Sequence, residues 1–329
     1  SGKKVIVTGG VGFIGSYLVK RLVQDGYKVS VIDSIIRGDK SRISDILNEI
    51  DFYESDIRDE DSILEIFKKA KADLVIHLAA VNGTENFYNH PQLVLDVGIR
   101  GMLSVINACQ KTNVFDLIVA SSAEVYQKPD KIPTSEQASL MIPNSLNPRY
   151  SYGGSKIASE LIAFNYFKDH FRKVQIFRPH NVYGPNMGWK HVIPQFIVKI
   201  KELKSKKNDF ELNIQGNGQE TRAFCYIDDI IDGIMQMYNY GKHREIYNIG
   251  NNQEISIVKL IEHIENLMNI KVKIKKSDVQ QGSVLRRCPD LSKMLSIGYL
   301  PKINIEDGLE KTIGWYLQNS EKELINKLL

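Results

Sequence analysis

The segment TGGVGFIG, Thr8 to Gly15, constrains this chain more than any other. Before it stands KKVIVT, a short apolar run rich in β-branched residues that reads as a buried parallel strand. After it stands SYLVKRLVQDGY, which reads as a helix. In a strand-to-helix turn of this kind Gly9 permits the tight bend. Gly12 lets the backbone approach a pyrophosphate, and Gly15 lets helix and strand pack closely. Phe13 and Ile14, within the turn, are counted with its glycines as cofactor-binding residues, just ahead of a helix N-terminus where free N–H groups and the helix dipole favour an anion. A second strand, KVSVID, ends on Asp33 about 20 residues further on, as a dinucleotide-binding turn requires. Asp33 is placed to accept hydrogen bonds from both adenosine ribose hydroxyls. It would repel a 2′-phosphate, so NAD is expected rather than NADP. Arg37 is the competing cue, either a partner for a 2′-phosphate or a solvated loop charge.

The alternation continues. IDFYES, ADLVIHLAA, DLIVASS and KVQIFRP read as strands, separated by helical stretches such as SILEIFKKA, LVLDVGIRGMLSVINACQK and SKIASELIAFNYFKDH. This is the pattern of an α/β fold, a doubly wound parallel sheet. Ligands of such sheets bind beyond the carboxyl ends of the strands, where Gly9, Asp33, Asp56, Ala79, Ala80 and Ser122 all fall. After Pro179 the pattern loosens. HVIPQFIVKIKELK reads as a helix, LNIQGNG and TRAFCYI as strands around a Gly-Asn-Gly turn, and IDDIIDGIMQMYNY as another helix. The expected division is 1–178 for a dinucleotide-binding domain and 179–329 for a smaller C-terminal substrate-binding lobe. Residues 228–250 are expected to return to the first domain.

Composition removes several classes. The 329 residues are 43% hydrophobic and 25% charged with a net charge of +4, ample for a globular core and too mild for a nucleic-acid binder. No uninterrupted 18-residue apolar run is present, so no membrane span is expected. The chain enters its first strand directly, so no signal peptide is expected. Cys109, Cys225 and Cys288 are odd in number and widely separated. They point to buried thiols in a reducing, cytoplasmic setting, with neither disulfide nor metal site.

The chemistry is concentrated in SYGGSK. Tyr152 and Lys156, spaced i to i+4, share one helix face. An ammonium beside a phenol favours the phenolate and lowers the tyrosine pKa. Such a tyrosine can take a proton from a sugar hydroxyl while the carbon gives up hydride. Ser122, in SSAEVY at a strand end, is placed to hydrogen-bond the same oxygen.

With these motifs in place, the chain resembles the extended short-chain dehydrogenase/reductase family, in particular its nucleotide-sugar epimerases and dehydratases. The likeness covers nearly all of it. It rests on TGGVGFIG, Asp33, SDIRD, HLAA, SSAEVY, YGGSK, RPHNVYGP, GNGQETRAFCYIDD and YNIGN. It implies a Rossmann-type domain with tightly held NAD and a lobe for a nucleotide-diphosphate sugar. It makes Ser122, Tyr152 and Lys156 the catalytic triad, and sets Asp56 and Ile57 beside the adenine. Leu78, Ala79 and Ala80 line the cofactor, and Asn181 meets the diphosphate. It also implies that LVLDVGIRGMLSVINACQK and the YGGSK helix form a four-helix homodimer interface.

Within that family the segments AVNGTENF, ASSAEVYQ, HNVYGP and GWK resemble the GDP-mannose 3,5-epimerases, and Lys190 matches their lysine. Glu124 stands where they carry a catalytic cysteine. The Ser122-Ala123-Glu124 pattern resembles 4,6-dehydratases and UDP-glucuronate decarboxylases, although the dehydratases carry an acid where Ala123 stands. The 4-epimerases match Ser122 and Ala123 and have a small neutral residue at 124. A carboxylate two residues past Ser122 on an extended segment would reach the carbon beside a C4 ketone, and a closed pocket would raise its pKa for proton return. Lys190 or His191 is the candidate acid on the opposite face. Arg222 and Arg287 are the candidate diphosphate clamp, with Arg286 adjacent. The expectation is an NAD-dependent epimerase working through transient C4 oxidation and proton exchange beside the ketone. Dehydratase or decarboxylase chemistry through Glu124 is the alternative, and a non-catalytic NAD-binding sensor is the reading from another class.

Overall fold

The computed structural model describes residues 2–205, 211–279 and 284–328. Its first half mostly alternates strand and helix, with a 3₁₀ segment, Lys40–Glu49, between the second and third strands: β1 (Lys4–Thr8), α1 (Phe13–Gln24), β2 (Lys28–Asp33), β3 (Asp51–Glu54), α2 (Glu60–Ala70), β4 (Leu74–His77), α3 (Thr84–Asn89), α4 (Pro91–Lys111), β5 (Asp116–Ala120), α5 (Ser151–Asn165) and β6 (Lys173–Pro179). Then follow β7 (Val182–Tyr183), α6 (Val192–Ser205), β8 (Glu211–Asn213), β9 (Thr221–Arg222), β10 (Cys225–Tyr226), α7 (Ile227–Tyr240), β11 (Glu245–Ile249), β12 (Ile255–Ser256), α8 (Ile257–Met268), β13 (Lys273–Lys275), β14 (Arg286–Arg287), α9 (Ser292–Ser296) and α10 (Ile305–Leu328).

Seven strands form one sheet in the order β11-β6-β5-β4-β1-β2-β3, and every pairing in it is parallel. The order reverses beside β1, which puts the glycine turn at the switch point of a Rossmann-type sheet. Residues of β1 show why the sheet is covered on both faces. Val5 and Val7 enter the apolar layer containing Leu18, Leu22, Ile230 and Ile234, while Ile6 enters the layer containing Ile63, Phe67, Met102 and Val105. Burying side chains of this kind stabilises the fold by roughly 1.5–3 kcal/mol each. The helix α2 shows the local signals. Asp59 caps it by accepting from the Ser62 N–H, Glu60 and Asp61 lie in its first turn, and Lys68 and Lys69 lie in its last.

Three expectations need correction. LNIQGNG and TRAFCYI do contain strands, but these do not pair with each other. β8 pairs with β13, β9 lies between β12 and β14, and β10 pairs with β7. Gly216 and Gly218, both at positive φ, turn the chain away instead of folding it back into a hairpin. The YGGSK helix starts at Ser151, with Tyr152 in its first turn, but it is shorter than expected. It stops at Asn165, ahead of Phe167 at positive φ. Ser122 is not followed by extended chain: it caps a one-turn 3₁₀ helix, Ala123–Tyr126, by accepting from the Glu124 N–H. Separately from these, α4 is long and apolar enough to cross a bilayer by length and composition, and half of that stretch is buried within the protein, as in a core helix.

Candidate active site

The glycine turn fits a dinucleotide diphosphate. Gly9 is at φ +72°, and a Cβ there would meet the Ala79 backbone at 2.8 Å. A Cβ on Gly15 would meet the Gly9 carbonyl at 2.1 Å, so helix and turn close up only with glycine there. Gly12 differs: its Cβ would meet only the Gly9 oxygen, at 3.3 Å, leaving the other side of the turn open for close approach. No side chain caps α1 and no acid lies in its first turn. The N–H groups of Phe13 and Ile14 therefore have no intrahelical acceptor and suit an anion. Asp33 lies half-buried beside this opening, its two oxygens accepting from the Val11 and Ile35 N–H groups at 3.2 and 2.9 Å. The Thr8 hydroxyl, 2.7 Å from His77 Nδ1, accepts from the Leu78 and Ala79 N–H groups and fixes the Leu78–Ala80 segment along the same crevice. Asp56 is committed to Arg58, whose hydrogen bonds hold its carboxyl below the usual carboxylate range. Ile57 is buried against Gly101 of α4.

Beyond the end of β5 the redox candidates converge. The Ser122 hydroxyl lies near enough to the Tyr152 phenol to lower its pKa. Lys156 Nζ stands 5.6 Å from the centre of the Tyr152 ring and donates to the Ala120 carbonyl at 2.8 Å. Burial lowers the Lys156 ammonium to a pKa of about 8. Burial also raises the Tyr152 phenol, followed by the charge of Glu124, against smaller lowering effects from Ser122 and Arg37. The expected lowering of Tyr152 by Lys156 is thus reversed in the protein alone. Desolvation of a phenolate outweighs an ammonium that is itself spending a hydrogen bond on Ala120.

Behind these groups lies a buried polar network that the motif reading missed. Glu160, one turn past Lys156, accepts from Arg178 Nε at 3.0 Å and from the Ser121 hydroxyl at 2.5 Å. Arg178 also donates to the Tyr126 hydroxyl at 2.9 Å, and Tyr126 donates to Asn248 at 2.6 Å. His180 reaches the same Asn248 oxygen, and burial lowers its pKa to about 4. This network ties α5 to the Ser122–Tyr126 turn. Its signal was present in YxxxKxxxE and in the arginine of RPHNVYGP. Two other residues carried no signal. Phe87 of α3 stacks on Tyr152, ring centres 5.0 Å apart at 12°. Gln127, at φ +51°, donates to the Glu124 carbonyl and packs against Gly153.

On the substrate side, Glu124 and Arg287 pair with each other at 2.8 Å. The candidate proton-transfer carboxylate and the candidate diphosphate clamp are therefore partners. Arg287 and Arg222 are register neighbours on β14 and β9, and burial with the charge of Arg287 lowers Arg222 to a pKa of about 10. Arg286 turns away to a bidentate pair with Glu254, so Arg287 is the one of the two that faces the site. Asn181, at φ +44°, lies just past β6, and its carbonyl accepts from the Cys225 N–H. Lys190 is not brought to Tyr152: it is exposed and pairs with Glu85 of α3. His191 is exposed as well, its ring folded against Gly188. A separate cavity of about 620 Å³ opens at the amino end of the sheet, beside Asp73, Asp116 and Tyr238, and none of the candidate residues lines it.

Residues 5–250 match the model of the NAD dependent epimerase/dehydratase family. The chain belongs to that family. Its members use NAD, in keeping with the open glycine turn and Asp33. The chain is 28% identical to UDP-glucuronic acid decarboxylase 1 of Xenopus tropicalis over 330 residues, 99% of this chain and 75% of the relative. It is 30% identical to a putative UDP-glucose 4-epimerase of Methanocaldococcus jannaschii over 320 residues, 96% of this chain and 99% of the relative. Among solved structures it resembles the dTDP-glucose 4,6-dehydratase of Streptomyces venezuelae, solved with NAD bound. The TM-score is 0.85 at 26% identity, covering 97% of this chain and 98% of that one. The fold and the enzyme class are those of an extended short-chain dehydrogenase/reductase.

Proposed function

We propose that the protein is a nucleotide-diphosphosugar epimerase that oxidises its sugar transiently at C4 and exchanges a proton beside the resulting ketone. The observation that carries this reading is the convergence of Ser122, Tyr152 and Lys156 with a carboxylate, Glu124, close enough to act on the phenol electrostatically. NAD, when bound, accepts a hydride from the sugar carbon and gives it back. Tyr152 takes the C4 hydroxyl proton, Ser122 holds that oxygen, and Lys156 favours the phenolate once the sugar has displaced water from the pocket. Glu124 then removes the proton at the carbon next to the ketone, and the proton that completes the inversion is delivered from solvent to the opposite face. Arg222 and Arg287 grip the diphosphate, with Asn181 beside them.

The same carboxylate supports a second reading as a 4,6-dehydratase or decarboxylase, since the relatives include enzymes named for both reactions. Lys190, exposed and paired with Glu85, is not the opposing acid in our reading, which weakens the likeness to GDP-mannose 3,5-epimerases. We further propose a homodimer through α4 and α5, on which Leu95 and Leu161 are 39% and 60% exposed. The three buried free cysteines suit a reducing, cytoplasmic setting.

The deciding experiment is incubation with UDP-, GDP-, CDP- and dTDP-sugars in deuterated water, followed by mass spectrometry and NMR. An isomeric product carrying solvent deuterium supports the epimerase. Loss of water marks a dehydratase and loss of carbon dioxide a decarboxylase. Binding without turnover on the whole panel would leave a sensor.

A further inference from the structure

Arg37 follows β2 by four residues and, as a whole residue, is exposed. Its guanidinium is partly withdrawn from solvent, and it does not turn back toward Asp33, whose oxygens are taken by Val11 and Ile35. It crosses to the loop after β4, where Nη1 donates to the Asn82 carbonyl and Nη2 lies 3.3 Å from where a Cβ on Gly83 would stand. In the sheet β4 and β2 flank β1 on either side, so a side chain running from the loop after β2 to the loop after β4 passes over the turn that follows β1. That turn is the glycine segment, with the open side of Gly12 and the free N–H groups of α1 beneath it. The inner end of Arg37 is partly desolvated, which lowers its pKa, and its charge is felt by Tyr152 and by His191. The guanidinium is therefore within electrostatic reach of the redox centre from its place at Asn82 and Gly83.

We propose that Arg37 is a ligand of the cofactor's diphosphate, a cation carried over the glycine turn that holds the dinucleotide in place between the two hydride transfers. The chemistry is specific. Two or three N–H groups of a planar guanidinium match phosphate oxygens, and one of them is already occupied by Asn82, which fixes the direction of the rest. The need for such a ligand follows from the proposed reaction. An enzyme that must return the hydride it has taken loses the cycle whenever its reduced cofactor escapes. The placement also answers the question raised by Arg37 in the sequence. An arginine four residues past the ribose-binding acid reads as a 2′-phosphate partner, but its direction here is toward the opposite end of the dinucleotide. The assignment rests on the dinucleotide reading and not on which sugar is converted.

The test uses no sugar. Arg37→Met protein, stripped of nucleotide, is titrated with NAD, ADP-ribose and adenosine, and the release of NAD is followed by rapid dilution. Its thermal midpoint is compared with that of the parent to show that the exposed loop still folds. A charge-assisted hydrogen bond of this kind corresponds to roughly ten- to hundredfold in affinity. NAD and ADP-ribose are expected to lose that factor, mainly through faster release, while adenosine, which lacks the diphosphate, is unaffected. The loss for NAD is expected to shrink as salt is raised. An equal loss for adenosine would overturn the proposal, because it would make Arg37 a support for the loop. A loss confined to NAD and absent with ADP-ribose would also overturn it, placing the guanidinium at the nicotinamide. Unchanged NAD release would do so directly.

Discussion

Tyr152 and Lys156 stand on a helix of 15 residues, whereas Arg222 and Arg287 stand on strands of two residues each. The first pair is buried, anchored through Ala120 and backed by the Glu160–Arg178 network. The second is half-buried, and its geometry is set largely by side chains answering one another, Glu124 to Arg287 and Arg286 to Glu254. The difference follows from what each half must do. A proton relay needs fixed distances in a dry site, where an electrostatic interaction is strong and reorganisation is small. A surface that receives a diphosphate needs cations whose partners can be exchanged for phosphate oxygens. If this contrast is right, substitutions in the first half should stop the reaction, and those in the second should mainly change how substrate is held.

The largest effect is expected from Tyr152→Phe. It leaves the stack on Phe87 in place and removes the hydroxyl that Ser122 acts on. Turnover should fall about ten-thousandfold, the upper range for a positioned acid/base group. No reduced nicotinamide should appear on mixing with substrate. Reduced nicotinamide forming at the parent rate would break the comparison at its rigid half.

Next comes Glu124→Gln, which tests whether the boundary between the halves is drawn correctly. Glu124 is paired with the substrate-side Arg287, yet its charge also raises the Tyr152 phenol. As the proton-transfer residue its loss should slow deuterium entry beside the ketone by about a hundredfold or more, with C4 oxidation still observed. Exchange at the parent rate with weakened binding would move Glu124 wholly to the substrate side and leave simple C4 epimerisation.

A smaller effect is expected from Arg287→Met. As a phosphate ligand it should raise KM by about tenfold or more with little change in kcat, since charged hydrogen bonds contribute about 1.5–3 kcal/mol. A fall in kcat with KM unchanged would instead make Arg287 a positioning residue for Glu124, and the two halves of the site would be one unit.

The same contrast decides what was readable in the sequence. The strands, the glycine turn, Asp33 and the Tyr152–Lys156 pair are local patterns, each enforced by the period or the turn chemistry of its own element. Ser122 was also legible, because strand ends converge in a parallel sheet. Partners separated by long stretches of chain were not. Glu124 with Arg287 and Lys190 with Glu85 are chosen by tertiary placement, and no spacing announces them. The Gly-Asn-Gly segment misled for a related reason. It has the composition of a hairpin turn, but the strands after it find partners at β12, β14 and β7. The direction of the Tyr152 shift was missed because a sequence gives the neighbour and not the burial.

The smallest effect concerns Lys156 and how dry the rigid half is. Burial lowers its pKa from 10.5 to about 8 in the folded protein, while the unfolded chain keeps the ordinary value. Between those values the unfolded chain binds more protons than the native one, so this residue makes stability rise with pH across that window. The sign is that of a depressed group: its contribution is complete above the unfolded pKa and is lost as pH falls through about 8. The rise should amount to about 1 kcal/mol per pH unit in the middle of the window. Tyrosines whose phenols are raised by burial, among them Tyr152 and Tyr183, act in the opposite direction at the alkaline end. The measurement is therefore a difference, urea unfolding of the parent and of Lys156→Met from pH 7.5 to 9.5. The parent should gain on the variant as pH rises. A constant gap between the two would mean that the Lys156 ammonium is better solvated than its burial implies, and that the redox half of the site is nearly as wet as the half that receives the diphosphate.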